Sequence, residues 1–373
     1  MHRLLLALSL LPAVAATAAA QAPARGGEPA PRPVMSIEDY EPRSMLKVPE
    51  TILTRSKYPF VDVHGHQRLN IEPARYDSLV REMDELNMGV MINLSGRHGD
   101  ALAEGVRNFA RHPGRVLVFA NIDFLSFDEP GWGERAAAQL EADVRAGAKG
   151  LKIFKQFGMD FRDRSGERVR VDDPRVDPVW RKAGELGIPV LIHTGEPPAF
   201  FLPVDEHNER WLELTQFPNR RRPADRYPSF DSLMAEQHRL FRRHPETTFI
   251  NAHLGWYGAD LARLGALMDS IPNMYTELGA VIYELGRQPR FAREFLVRYQ
   301  DRVLMGKDTY GQDEYHVYFR VLETDDEYFD YYRKRHAFWK MYGLALPDEV
   351  LRKIYYGNAL RIIPGMDRSL FPE

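Results

Sequence analysis

Pro189-Val190-Leu191-Ile192-His193-Thr194-Gly195 sets a strand-length apolar run directly ahead of a histidine. Four other segments repeat that design. Val61 to Val63 leads into His64 and His66, Gly150-Leu151 into Lys152, Phe249-Ile250-Asn251-Ala252 into His253, and Val303-Leu304-Met305 into Asp308. Between such runs lie stretches with helical periodicity. Leu79, Val80, Met83 and Leu86 share one helix face before Asn87 and Gly89 stop it. Leu140 and Val144, then Trp180 and Leu186, mark later helices.

Eight strands are expected: 60–64, 90–94, 116–122, 150–154, 190–193, 248–252, 274–278 and 303–305. Strand–helix alternation of this kind predicts an α/β parallel architecture, a (β/α)8 TIM barrel with long loops after strands five and eight. A doubly wound open sheet is the competing fold, but no Gly-rich phosphate loop follows the first strand. Barrel active sites lie at the C-terminal ends of strands, where the polar residues fall. Strand alternation adds a direction. Asp62, His64 and His66 oppose Val61 and Val63; Asn251 and His253 oppose Ile250 and Ala252; Gly306 and Asp308 oppose Val303 and Met305. If the aliphatic set packs on helices, the polar set points inward. There an unpaired charge costs several kcal/mol, roughly, so a divalent cation is a fitting partner.

Each group has an ordinary explanation when taken singly. His-x-His pairs occur by chance, a lysine can snorkel, a buried histidine can be hydrogen-bonded core, and an aspartate can cap a helix. Their joint occurrence in barrel order is what points to one site.

Composition narrows the class. The 373 residues carry 50 Lys+Arg against 53 Asp+Glu, a formal net charge of -3, which argues against a nucleic-acid partner. Cys is 0, so disulfides, zinc–thiolate clusters and thiol nucleophiles are excluded, and any metal takes nitrogen and oxygen ligands. The N-terminus reads as a cleavable signal peptide over 1–20. It has a basic start at His2-Arg3, an apolar stretch from Leu4 to Val14 and small residues at Ala18, Ala20 and Ala22, with cleavage after Ala20. That apolar stretch is shorter than the ~20 residues that span a bilayer. A Pro/Ala-rich linker follows over 21–41, and the barrel occupies 42–373. The expected location is periplasmic or secreted, without stable membrane insertion after cleavage. The expected partner is a small-molecule substrate, with a homo-oligomer also open.

The ordered motifs DVHGH (62–66), GAKGLKIF (147–154), LIHTGEP (191–197), NAHLGW (251–256), MGKDTY (305–310) and YYGNALRIIP (355–364) carry a resemblance. The chain resembles the amidohydrolase superfamily, especially its amidohydrolase-related branch with aminocarboxymuconate-semialdehyde decarboxylase-like enzymes. The match runs from about 58 to 364. It implies one divalent metal, commonly zinc, with Mn or a binuclear site as alternatives. It implies His64, His66, His193 and Asp308 as ligands and His253 beside the reacting water. In binuclear relatives a carboxylated lysine at the Lys152 position bridges two metals, and the His253 position becomes a ligand. The chain departs at Lys307, where a small residue is common; alternation turns that side chain out of the barrel.

The expected activity is a metal-dependent hydrolase that uses activated water on a C–N or C–O bond of a small organic acid, amide or lactone. Asp308 and His253 serve as the catalytic pair. A non-oxidative decarboxylase on the same site is the alternative, and a non-catalytic periplasmic metal- or ligand-binding protein is a third reading. Asn93, Arg97, Glu196, Trp256 and Glu277 are expected to face substrate. Asn358 is expected to tie the last helix to the barrel.

Overall fold

The computed structural model describes residues 35, 36 and 39–372. The expected signal peptide lies outside the described residues, as does most of the linker. A compact unit spans Met45–Glu373. Among the described residues, no helix is long and apolar enough to cross a membrane.

The strands are β1 (Phe60–Gly65), β2 (Met88–Asn93), β3 (Val116–Val118), β4 (Ala120–Asn121), β5 (Leu151–Ile153), β6 (Val190–Ile192), β7 (Phe249–Asn251), β8 (Met274–Glu277) and β9 (Val303–Leu304). Their order is sequential, β1-β2-β3 and then β4 through β9, and every pair is parallel. β3 and β4 are halves of one strand bent at Phe119, whose N–H donates to Asn93 O at 3.0 Å while Ala120 N–H donates to Gly150 O at 2.8 Å. The last strand returns to the first. Val63 N–H donates to Met305 O at 3.0 Å, and Gly65 and Asp308 form a parallel bridge. These bonds bring the end of β9 back beside β1, the neighbourhood the expected TIM barrel requires.

Strand composition explains the layers. β5, β6 and β7 are buried on both faces, as strands wrapped by helices must be. The helix Pro73–Leu86 buries Tyr76, Leu79, Val80, Met83 and Leu86, the stripe set by its periodicity, and ends on Asn87 in the left-handed region at φ 70. Trp180 is fully buried on the helix Asp177–Glu185. Asn358 donates to Gln300 O and Val303 O, both at 2.7 Å, and so ties the C-terminal helix to β9 as expected.

Two long excursions leave the C-terminal ends of β6 and β9. The first holds the helix Trp211–Gln216; the second holds the helix Glu314–Glu323 and an irregular run to the helix Asp348–Arg352. Buried Glu213 joins them. It accepts from Arg210 Nε at 2.8 Å and pairs with Arg220, while His336 of the second excursion lies 3.5 Å away.

A candidate metal centre at the barrel mouth

His64 is the fifth residue of β1 and is buried. Its Nδ1 lies 3.0 Å from Glu277 Oε1. A carboxylate only accepts, so Nδ1 carries the proton and Nε2 keeps a free lone pair. That Nε2 is 3.8 Å from Asp308 Oδ1. His66 follows the strand; its Nδ1 meets Ser95 Oγ at 2.8 Å, and its Nε2 is 3.6 Å from the same Asp308 oxygen. His193 follows β6 directly, with Nδ1 3.4 Å from His253 Nε2. The His253 Nδ1–H donates to Gly279 O at 2.7 Å, so its Nε2 is likewise the unprotonated nitrogen. Ligand atoms of His64, His253 and Asp308 all lie within 4.8 Å of one another. His66, against Asp308 and the His64 ring, and His193, against His253, fall outside that trio.

Alternation along β7 and β9 does not deliver two of these groups. β7 ends at Asn251 and β9 at Leu304, before the residues in question. Asn251 accepts from Gln237 Nε2 of the helix Phe230–Arg243 at 3.0 Å. His253 instead enters through a left-handed run, with φ 58 at His253, 55 at Leu254, 59 at Gly255 and 61 at Trp256. Asp308 sits at φ 82. Non-glycine residues in this region cost on the order of 1 kcal/mol each or more, and such outliers gather at functional sites. Glu277 holds the first turn, its Oε1 accepting the His253 N–H at 2.6 Å. Gly306 makes room, because a Cβ there would overlap Glu277 Oε2.

Burial sets the charge states. It pushes the His64 and His193 imidazoles well below their ordinary range, helped by the Lys152 ammonium and, at His193, first by His253. His66 is lowered to about 4 for the same reason. Burial lowers Lys152 to about 8. For Asp308 burial acts upward, but His64, His253, His66 and Lys152 outweigh it and hold the carboxyl below its usual value. Neutral imidazoles beside an ionised carboxylate are the forms that bind a metal. The donors fit a cation in another respect. Among the described residues His193 Nε2 is buried without a hydrogen-bond partner, a costly state that bonding to a cation would relieve.

The expected substrate residues divide. Arg97 is exposed and lines a cavity of about 650 Å3 that opens beside His66 and includes Leu69, Ser95 and Glu104. Trp256 stacks on His253 with ring centroids 4.5 Å apart. Three others are committed inside the protein. Glu277 is spent on His64, the His253 N–H and the Gly279 N–H, which makes it an orienting group for the imidazoles. Glu196 is bound by Lys155 at 2.6 Å and Arg222 at 2.8 Å. Asn93 accepts from the Gln67 and Ser95 N–H groups and donates to Gln67 O, so it shapes the turn that carries His66. Lys307 lies away from the imidazoles, paired with Glu314 and 5.2 Å over the Tyr315 ring. Sequence reasoning missed Ser95 and Phe154. Phe154 is 38% exposed and stacks 6.1 Å from His66, and an aromatic just past a strand-end lysine was the available signal.

Comparison with known proteins agrees with this architecture. An uncharacterised TIM-barrel protein from Bordetella bronchiseptica superimposes with a TM-score of 0.53 at 16% identity, over 82% of this chain and 98% of its own. A structure described as amidohydrolase II gives 0.51 at 14% identity, covering 82% and 99%. A 2,6-dihydroxybenzoate decarboxylase gives 0.50 at 16%, also covering 82% and 99%. At these identities the likeness concerns the fold. No curated protein matches the sequence. The amidohydrolase family model matches residues 47–365, the span that holds every strand and all six polar groups of the mouth, and the chain is an enzyme of the amidohydrolase family.

Proposed function

We propose that the barrel mouth holds one divalent metal, zinc in the first instance, and that the enzyme hydrolyses a C–N or C–O bond of a small organic acid, amide or lactone. The observation that carries this reading is the meeting of His64, His253 and Asp308 ligand atoms within 4.8 Å, with His66 and His193 against them. On the family resemblance, His64, His66, His193 and Asp308 would hold the metal, with His253, the third member of the trio, beside it. When bound, it supplies a Lewis acid that brings the pKa of water toward about 7 and polarises the scissile carbonyl. The Asp308 carboxylate would accept a proton from the attacking water and deliver it to the leaving atom. His253, fixed by Gly279 O, holds the water with Nε2. Lys152 offsets the charge of Asp308 across the mouth. The cavity beside His66 would admit the rest of the substrate, with Ser95 and Arg97 in its lining.

Elemental analysis of purified protein, followed by a panel of lactones, amides and aromatic acids assayed for both hydrolysis and CO2, tests the reading. One metal per chain with water-dependent bond cleavage is expected. CO2 release without hydrolysis would make the enzyme a carboxy-lyase on the same residues. A folded protein without metal and indifferent to chelators would overturn the proposal. His253→Asn is expected to keep the metal and lose turnover; loss of metal would make His253 a ligand. The reading includes export, so N-terminal sequencing of the mature protein is expected to begin at Gln21.

A further inference from the structure

Asp62 is fully buried, two residues before His64, yet it is not part of the metal group. Its Oδ1 accepts the N–H of His64 at 2.9 Å and the N–H of Lys307 at 3.1 Å. Those donors flank the seam where β1 meets the end of β9. The seam is irregular because β9 has only two residues and the chain turns left-handed at Asp308. Main-chain bonds there run from Val63 N–H to Met305 O and from Asp308 N–H to His64 O. Between them, the Lys307 N–H finds its acceptor in the Asp62 carboxylate. The second oxygen, Oδ2, accepts from the Tyr315 hydroxyl at 2.5 Å. Tyr315 stands on the helix Glu314–Glu323, packed against Phe60 at 5.8 Å and Phe319 at 6.4 Å.

We propose that Asp62 and Tyr315 are positioning residues that clamp the backbones of His64 and of Lys307, the residue before Asp308, and so hold His64 and Asp308 at the spacing a metal requires, so that docking of the helix after β9 sets metal affinity. This rests on the metal-site reading above. One carboxylate oxygen accepts the N–H groups of His64 and Lys307, so a shift of its plane moves His64 relative to Lys307 and to Asp308, the next residue in the chain. The phenol hydroxyl fixes that plane. Without it, a buried carboxylate oxygen has no donor and must turn to find one.

Zn2+ titration of the metal-free full chain against a chromophoric chelator tests the clamp, with thermal melts of the same samples. Tyr315→Phe keeps the ring and removes the hydroxyl; its Zn2+ affinity is expected to fall about 10–100-fold, the usual loss when a group orienting a ligand is removed. Phe319→Leu disturbs the same helix without touching Asp62 and is expected to lower the melting temperature while holding affinity within about threefold. Asp62→Asn keeps an acceptor for both N–H groups and is expected to stay within about tenfold, which supplies the test if Tyr315→Phe does not fold. Wild-type affinity in Tyr315→Phe, or equal losses in Phe319→Leu, would overturn the clamp alone. A wild-type chain that binds no Zn2+ would overturn the clamp and the metal-site reading together.

Discussion

At the scale of single residues, the mouth separates groups that do chemistry from groups that aim them. Asp308 is the proposed proton carrier and remains partly open to solvent, its side chain 30% exposed. Asp308→Asn is therefore expected to cut turnover at least about 100-fold, with a melting temperature near that of the parent. Steady-state rates beside a thermal melt check it; an undiminished rate would remove Asp308 from the proton path. Glu277 touches no substrate-facing surface but holds His64 in one tautomer. Glu277→Gln can offer an amide N–H where His64 needs an acceptor, so metal affinity is expected to drop about 10–100-fold. A competition titration reads that directly.

At the scale of elements, the long excursions and outer helices carry their own electrostatics. Glu213 is wholly buried between Arg210 and Arg220. Glu213→Gln leaves two guanidiniums short of a counter-charge, at a cost on the order of 3 kcal/mol. The expected result is faster proteolysis within residues 205–225 and an earlier first unfolding transition. On the helix Phe230–Arg243, His238 is buried and its pKa is lowered to about 4 by burial, then by Arg242 and Arg263. Its folded value lies below the unfolded 6.5, so the unfolded chain binds the extra proton. Stability is full above pH 6.5 and is lost as pH falls toward 4, by up to about 3 kcal/mol. Denaturant melts across that window are expected to show the loss, and His238→Gln to flatten it. Strand existence was readable because each apolar run is long enough to bury two faces. The approach of His253 and Asp308 was not, because their strands stop one and three residues short of them and left-handed backbone takes over. Nor could the duty of Glu277 be read, since a glutamate at a strand end looks the same whether it faces a substrate or an imidazole.

At the scale of the whole molecule, a metal bound only by the folded chain becomes part of its stability. Saturation at a thousandfold over Kd adds about 4 kcal/mol. Chelation is expected to lower the melting temperature by several degrees, and added Zn2+ to restore it in a concentration-dependent way; calorimetry at several metal concentrations checks this. An unchanged melt would mean that the mouth and the barrel are energetically independent.

The β1–β9 seam also bears on biosynthesis. Asp62 and Lys307 are 245 residues apart in sequence, and Tyr315 lies farther still. Contacts this distant in the chain form late, after nearer pairings have organised the sheet. A nascent or truncated chain ending before Val303 carries His64, His66, His193 and His253 but neither Asp308 nor the carboxylate's two remote donors. Synthesis must thus pass Tyr315 before the full set of groups at the mouth is present.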